Sequence, residues 1–164
     1  MFSNIGCNRK IQRRCVGLAK LLGIAFKKKS KAPMEVITKA EVKEGYGIIG
    51  TKPSKESRQI TVLSSYQWER ACREAGQRLN WTTRRANLYM SGYSFCSRDV
   101  GKLLRIGKEV VLEVIGETKP CSRMDEACSG LKKALTRDWR GGVTCRVIKG
   151  GTIEVGDEVW IERQ

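Results

Sequence analysis

The sequence predicts a mainly β protein with a few helices, folded as one mixed and mostly antiparallel β-barrel whose openings the helices cover. Short runs rich in Val, Ile and Thr recur along the chain, and glycine turns such as "RIGK" and "EVGD" lead into two of them. A helical period is clear in one segment only. The length sets the scale: 164 residues with 40% hydrophobic content are enough for one packed core and short for two.

Taken in order, "LLGIAF" and "EVITKAEV" are the first expected strands, followed by "RQITVLS" at 58–64. The helix is "SSYQWERACREAGQRLN". Ser64 and Gln67 have capping-box spacing there, and Trp68, Ala71, Cys72, Ala75 and Leu79 form one apolar stripe, which makes Cys72 a core residue. The next strand is "VVLEVIGE" at 110–117, where Val110, Leu112 and Val114 share one face and Val111, Glu113 and Ile115 the other. That alternation suits a barrel wall buried unequally on its two sides. "GLKKALTRD" is a second helix, and "VTCRVIKG" at 143–150 and "DEVWIE" at 157–162 close the series.

Charge and cysteine content narrow the chemistry. The chain carries 32 Lys plus Arg against 17 Asp plus Glu, a net +15, so its expected partner is anionic: nucleic acid, a phosphorylated small molecule or an acidic protein. The charge is uneven, because residues 1–33 hold Arg9, Lys10, Arg13, Arg14, Lys20, Lys27, Lys28, Lys29 and Lys31 and no acidic side chain. Seven cysteines occur without a C-x-x-C pair and there is no histidine, which argues against zinc and excludes Ser-His and Cys-His catalysis. The longest early apolar stretch, "VGLAKLLGIAF", is interrupted by Lys20 and followed by "KKKSK", so neither a secretory signal nor a membrane span is expected. An intracellular, reducing compartment follows, either the cytoplasm or the mitochondrial matrix. Residues 1–15 read as a basic extension on a barrel domain at 16–164, and serve as a targeting sequence, a nucleic-acid-binding arm or a solvated tail.

Six segments, "RQITVLS", "RRANLYMSG", "LLRIG", "VLEVIGETKPCSRMDEACSGLKKAL", "DWRGGVTCRVIKGG" and "TIEVGDEV", follow one another in an order that resembles the MOSC domain, named after the C-terminal part of molybdenum cofactor sulfurase. The resemblance runs from about Val16 to Glu162 and is nearest to the small stand-alone bacterial-type members. It implies a MOSC-type barrel and a role around the molybdenum cofactor or sulfur transfer. The cysteine of its "PC" motif would be a persulfide carrier or a ligand to molybdenum, and here that residue is Cys121.

The chemistry of the segment agrees. A thiolate is a soft donor suited to molybdenum or sulfane sulfur, Lys119 and Arg123 flank it with positive charge, and Pro120 restricts the backbone. A molybdopterin-type cofactor is anionic, so its pocket needs arginine forks and polar groups, and Arg58, Arg84, Arg85, Asn87, Arg123 and Arg140 are placed around it. Gly141 and Gly142, after Arg140, would let backbone approach a ligand closely. Cys128 is read as structural.

One departure stands out. Where many relatives carry an aspartate after "GYGIIG", this chain has Thr51. Two function classes follow. The first is a working MOSC protein that binds molybdenum cofactor, or takes sulfur from a donor protein, through Cys121. The second is a MOSC scaffold with a degenerate site, recruited to contact rRNA and neighbouring proteins in a large assembly such as an organellar ribosome. An independent RNA-binding barrel would need a stacking platform, and with 7% aromatics none is visible on any one strand.

Overall fold

A computed structural model describes residues 19–52 and 58–162. The basic extension at 1–15 therefore lies outside the described residues. The strands are β1 (Ala19–Phe26), β2 (Glu35–Ile37), β3 (Lys39–Lys43), β4 (Gly47–Ile48), β5 (Ile60–Ser64), β6 (Leu88–Met90), β7 (Leu103–Ile106), β8 (Val110–Glu117), β9 (Val143–Lys149), β10 (Gly151–Glu154) and β11 (Glu158–Glu162). The helices are α1 (Ser65–Glu74), α2 (Arg123–Ala127) and α3 (Leu131–Thr136).

The main sheet runs β11-β7-β8-β9-β5-β6-β1-β2, and a further pairing of β1 with β11 closes its first seven strands into a barrel. Strands β5 and β6 pair in parallel, whereas the other pairs are antiparallel, so the sheet is mixed as predicted. A parallel pair needs a crossover, and α1 supplies it. Among the described residues the closing seam is short: Ala19 pairs with Val159 and Lys20 with Glu158, and Leu21 N donates to Asp157 O at 2.8 Å. A second sheet, β10-β3-β4, extends the wall.

The alternation read in "VVLEVIG" is observed. Val110, Leu112 and Val114 point into the barrel core with Ile60, Val62, Leu88 and Leu104, while on the other face Glu113 and Ile115 stay partly exposed and Val111 is buried outside that core. The helices, however, form a second core on the outer wall. Leu63 of β5 points away from the barrel interior and packs with Trp68, Ala71, Cys72, Met124, Leu131 and Leu135, and Tyr89 of β6 joins them from the same outer side. Because side chains on a strand alternate faces, an outward Leu63 next to an inward Val62 gives the wall an apolar exterior that needs cover.

Helix α1 starts as expected, with Ser64 as N-cap and its hydroxyl accepting from the Gln67 N–H. Gln67 does not complete the capping box. Its side chain bridges two loops instead, donating to Phe95 O at 2.9 Å and Asp138 O at 2.7 Å and accepting from Phe95 N at 3.0 Å. The helix stops at Glu74, short of the predicted stretch, because the chain turns left-handed at Gly76 (φ +78°). Leu79 still reaches the same core from the coil, where its carbonyl accepts from Trp68 Nε1 at 3.2 Å.

After that coil, a short 3-10 turn at Trp81–Arg84 leads into β6. The Trp81 ring lies over Gly23 of β1, where a Cβ would come within 2.6 Å of it, and it stacks on Tyr89 with centroids 5.1 Å apart and planes 1° from parallel. Aromatic clustering on the wall was not expected, because the two rings are brought together by a turn and a strand rather than by one strand.

Candidate functional site

The "KPC" segment follows β8, and α2 follows it. This places Cys121 at the mouth of a cleft of about 180 Å³ lined by Lys27, Thr61, Arg84, Arg85, Thr118 and Arg123, with Met124, Val62 and Ala86 as its apolar part and Gly141 at its edge. Four cationic side chains meet there, and no carboxylate among the described residues lines the cleft. Among the described cysteines Cys121 alone is exposed; Cys96 and Cys128 are half-buried, and Cys72 and Cys145 are buried. Burial pushes the thiols of Cys72 and Cys145 up, away from the thiolate form that reacts. Cys128 is at hydrogen-bond distance for sulfur, 3.7 Å, from Ala75 O, consistent with the structural role expected of it.

Arg84 and Arg85 close the 3-10 turn, and Arg85 adopts the left-handed conformation (φ 62°), so the chain reverses there. Arg84 is buried. Its Nε donates to Gly141 O at 3.0 Å and its Nη2 to Thr118 O at 2.9 Å, which ties the end of β8 to the turn before β9. Burial lowers the Arg84 pKa, and Cys121 lies within electrostatic reach of it. Arg85 Nη2 donates to Ala32 O at 2.5 Å. The Lys27 ammonium has its pKa lowered by burial and then by the positive charges of Arg85 and Arg123. Uncompensated positive potential of this kind attracts an anion. Thr118 contributes a buried hydroxyl without a hydrogen-bond partner among the described residues.

Of the residues placed around the pocket by sequence, Cys121, Arg84, Arg85 and Arg123 come together. Asn87 stands one step behind: its Oδ1 accepts from Thr61 N at 3.0 Å and Thr61 Oγ1 at 3.1 Å, and its Nδ2 donates to Ala25 O at 3.2 Å, bridging β5 to β1. Arg140 does not line the cleft. It is buried beside the helices, where Nη1 donates to Glu74 Oε2 at 2.6 Å and Ala134 O at 3.2 Å and Nη2 to Asp138 Oδ2 at 3.2 Å. Arg58 is exposed and does not line it either. Thr51, at the position of the missing acid, donates its hydroxyl to Ile48 O at 2.8 Å and is also outside the lining.

Sequence reading missed Lys27, Thr61 and Thr118. Thr118 lies three positions before Cys121, where a polar residue ending a strand next to the "PC" motif is a usable signal. Lys27 had none, since it reads as one of a lysine run and only the pairing of β1 with β6 carries it to the cleft.

Gly141 explains how tightly the two acceptors of Arg84 are set. A Cβ there would collide with Thr118 O. Gly141→Ala is expected to cost about 1–3 kcal/mol by overpacking and to loosen Arg84, because one substitution displaces both of its carbonyl partners. Chemical denaturation of the variant measures the loss, and an unchanged midpoint would show that the approach is not constrained.

Comparison with known proteins places this geometry. The MOSC domain family profile matches residues 50–160. The chain superimposes on the YuaD protein from Bacillus subtilis with a TM-score of 0.75 at 20% identity, covering 89% of this chain and 96% of that one. It also superimposes on YiiM from Escherichia coli (TM-score 0.68, 14% identity, 88% of this chain and 70% of that one) and on YiiM from Geobacillus stearothermophilus (0.62, 17%, 91% and 74%). Comparison with the curated proteins gives no match.

Proposed function

Because the chain belongs to the MOSC domain family, we propose that the cleft is its working site and that Cys121 acts there as a thiolate, carrying sulfane sulfur or ligating the metal of a molybdenum cofactor. The observation that supports this reading is the coincidence, among the described residues, of the single exposed cysteine with four cations and no carboxylate.

The donor set suits both cargoes. The Cys121 sulfur is a soft ligand, Lys27, Arg84, Arg85 and Arg123 would hold an anionic portion, and the orphaned Thr118 hydroxyl would donate to it. When bound, a molybdenum cofactor supplies two-electron oxo-transfer chemistry at the metal. With about 180 Å³ the cleft is smaller than the ~300 Å³ at the lower end of ligand pockets, so it would enclose the anionic end of such a group and leave the rest outside. Sulfane sulfur needs less room. In that reaction the Cys121 thiolate attacks the outer sulfur of a donor persulfide, forms a new S–S bond as the donor's S–S bond breaks, and releases the donor thiolate.

Both activities are tested on Cys121→Ser. Wild-type protein exposed to a persulfide donor is expected to gain one sulfur at Cys121 by mass spectrometry, and protein from its native source is expected to show molybdenum by metal analysis or the fluorescence of oxidised pterin. The serine variant should lose whichever signal is found, and Cys128→Ser should keep it. Equal sulfur and metal content in wild type and Cys121→Ser would refute the role.

A further inference from the structure

The stacked pair Trp81–Tyr89 belongs to none of the chemistry above. It lines a separate open cavity of about 670 Å³ on the outer wall, between α1 and the coil that follows it, together with Glu69, Arg73, Arg78 and Asn80. Next to this cavity lies a second, of about 780 Å³, which shares Glu69 and Arg73 with the first and adds Tyr66 and Arg70. Glu69 and Arg73 of α1 border both, so the two adjoin along the helix. Tyr66 is 57% exposed, and Arg73 and Arg78 make no ion pair among the described residues.

We propose that these two cavities bind single-stranded nucleic acid, with a base on the Trp81–Tyr89 platform and the adjoining phosphates on Arg73 and Arg78. Stacked aromatic rings flanked by cations are the two components that hold a single strand, since every base offers a π-face and every nucleotide a negative charge. The platform is also built rather than incidental. Trp81 is seated on β1 only because residue 23 is glycine, and any side chain there would lift it. Helix α1, with ten residues, is about 15 Å long, and two adjoining cavities along it offer room for more than one nucleotide, which favours a strand over a free mononucleotide.

Glu69 adds selectivity. Burial and then the charge of Glu69 push the Tyr89 hydroxyl up to about 12, and Glu69 lines the same cavity as Trp81 and Tyr89, so its carboxylate stands on the side that receives the base. There it repels phosphate and accepts from base N–H groups. Guanine, with two adjacent donors on its Watson–Crick edge, fits a carboxylate better than uracil, with one.

The test is fluorescence anisotropy of a labelled single-stranded RNA of about ten nucleotides on the full chain. The strand contains guanines and is compared with an all-uracil strand. Trp81→Leu is expected to weaken binding about tenfold or more, the size of one lost base stack. The double change Arg73→Gln and Arg78→Gln should reduce affinity and flatten its salt dependence by about one to two phosphate contacts. Lys132→Gln with Lys133→Gln, which removes the same charge from exposed positions on α3, should change affinity by no more than about twofold. Thermal unfolding reports whether Trp81→Leu folds; if it does not, the two exposed arginines decide alone. Equal losses from the arginine and lysine pairs would overturn the proposal, since binding would then follow net charge. So would guanosine monophosphate binding as tightly as the strand. Because none of these residues lines the Cys121 cleft, failure here leaves the sulfur or cofactor reading untouched.

Discussion

Trp68→Ala is expected to lower the free energy of unfolding by about 3–5 kcal/mol, the range for deleting a large buried aromatic side chain. Trp68 is 1% exposed at the centre of the outer core, where α1, α2 and α3 meet the back of β5. Its loss leaves a cavity between Leu63, Met124 and Leu135 and also strips the Leu79 carbonyl of its indole donor. The deficit should appear as a lower urea midpoint. Because the barrel interior is a separate cluster, the m-value should change as well if the helices detach before the barrel opens. A variant as stable as wild type would mean that the barrel wall holds without its helical cover.

That two-core arrangement also shows how far sequence reading reaches. Trp68, Ala71 and Cys72 announce their burial by spacing alone, and Val110, Leu112 and Val114 announce the inner wall by alternation, since both signals are local and periodic. Leu63 is different. In "ITVLS" it reads as one more apolar strand residue, and only the parallel pairing of β5 with β6 decides that its side faces helices and not the lumen. The candidate cleft divides in the same way. Arg84, Arg85 and Cys121 are legible because each lies in a compact motif, whereas Lys27 reaches them through the pairing of β1 with β6, across about sixty residues of chain. Arg140 shows the opposite case: an arginine beside two glycines reads as a ligand fork, and in the fold its guanidinium bonds Glu74, Asp138 and the Ala134 carbonyl away from the cleft.

The second large effect is expected at Asp99, which no sequence pattern marked. Its carboxylate is 1% exposed, and it accepts from Tyr93 Oη at 2.6 Å, Cys96 N at 2.7 Å and Lys102 Nζ at 2.6 Å. Asp99→Ala should destabilise the protein by about 3–5 kcal/mol, because it leaves the loop amide and the phenol without an acceptor and the ammonium without a counter-charge. The same hub predicts a pH effect. Burial alone would raise the Asp99 pKa, but the bonds from Lys102, Tyr93 and the Cys96 N–H outweigh it and hold the carboxylate below its usual value. A carboxylate depressed in the folded state contributes stability that is fully present above the unfolded pKa of about 3.9 and is lost as pH falls through the folded value. Denaturation at pH 6 and at pH 3 should therefore differ more for wild type than for Asp99→Asn. Identical pH responses would contradict the assignment.

The seam of the barrel carries a consequence for how the chain is made. Strand β1 is the first described element and β11 the last, yet they are hydrogen-bonded neighbours. While the chain is being synthesised, β1 can find β6 and β2, but its remaining edge has no partner until β11 has emerged. The growing chain is thus an open curved sheet with a bare edge at Ala19 and Lys20, the kind of edge that recruits foreign strands. Closure, which joins the residues most distant in sequence, comes at the end and bears the largest loop entropy. Emergence of β11, and not the formation of any earlier strand, then marks the moment at which this edge can be covered.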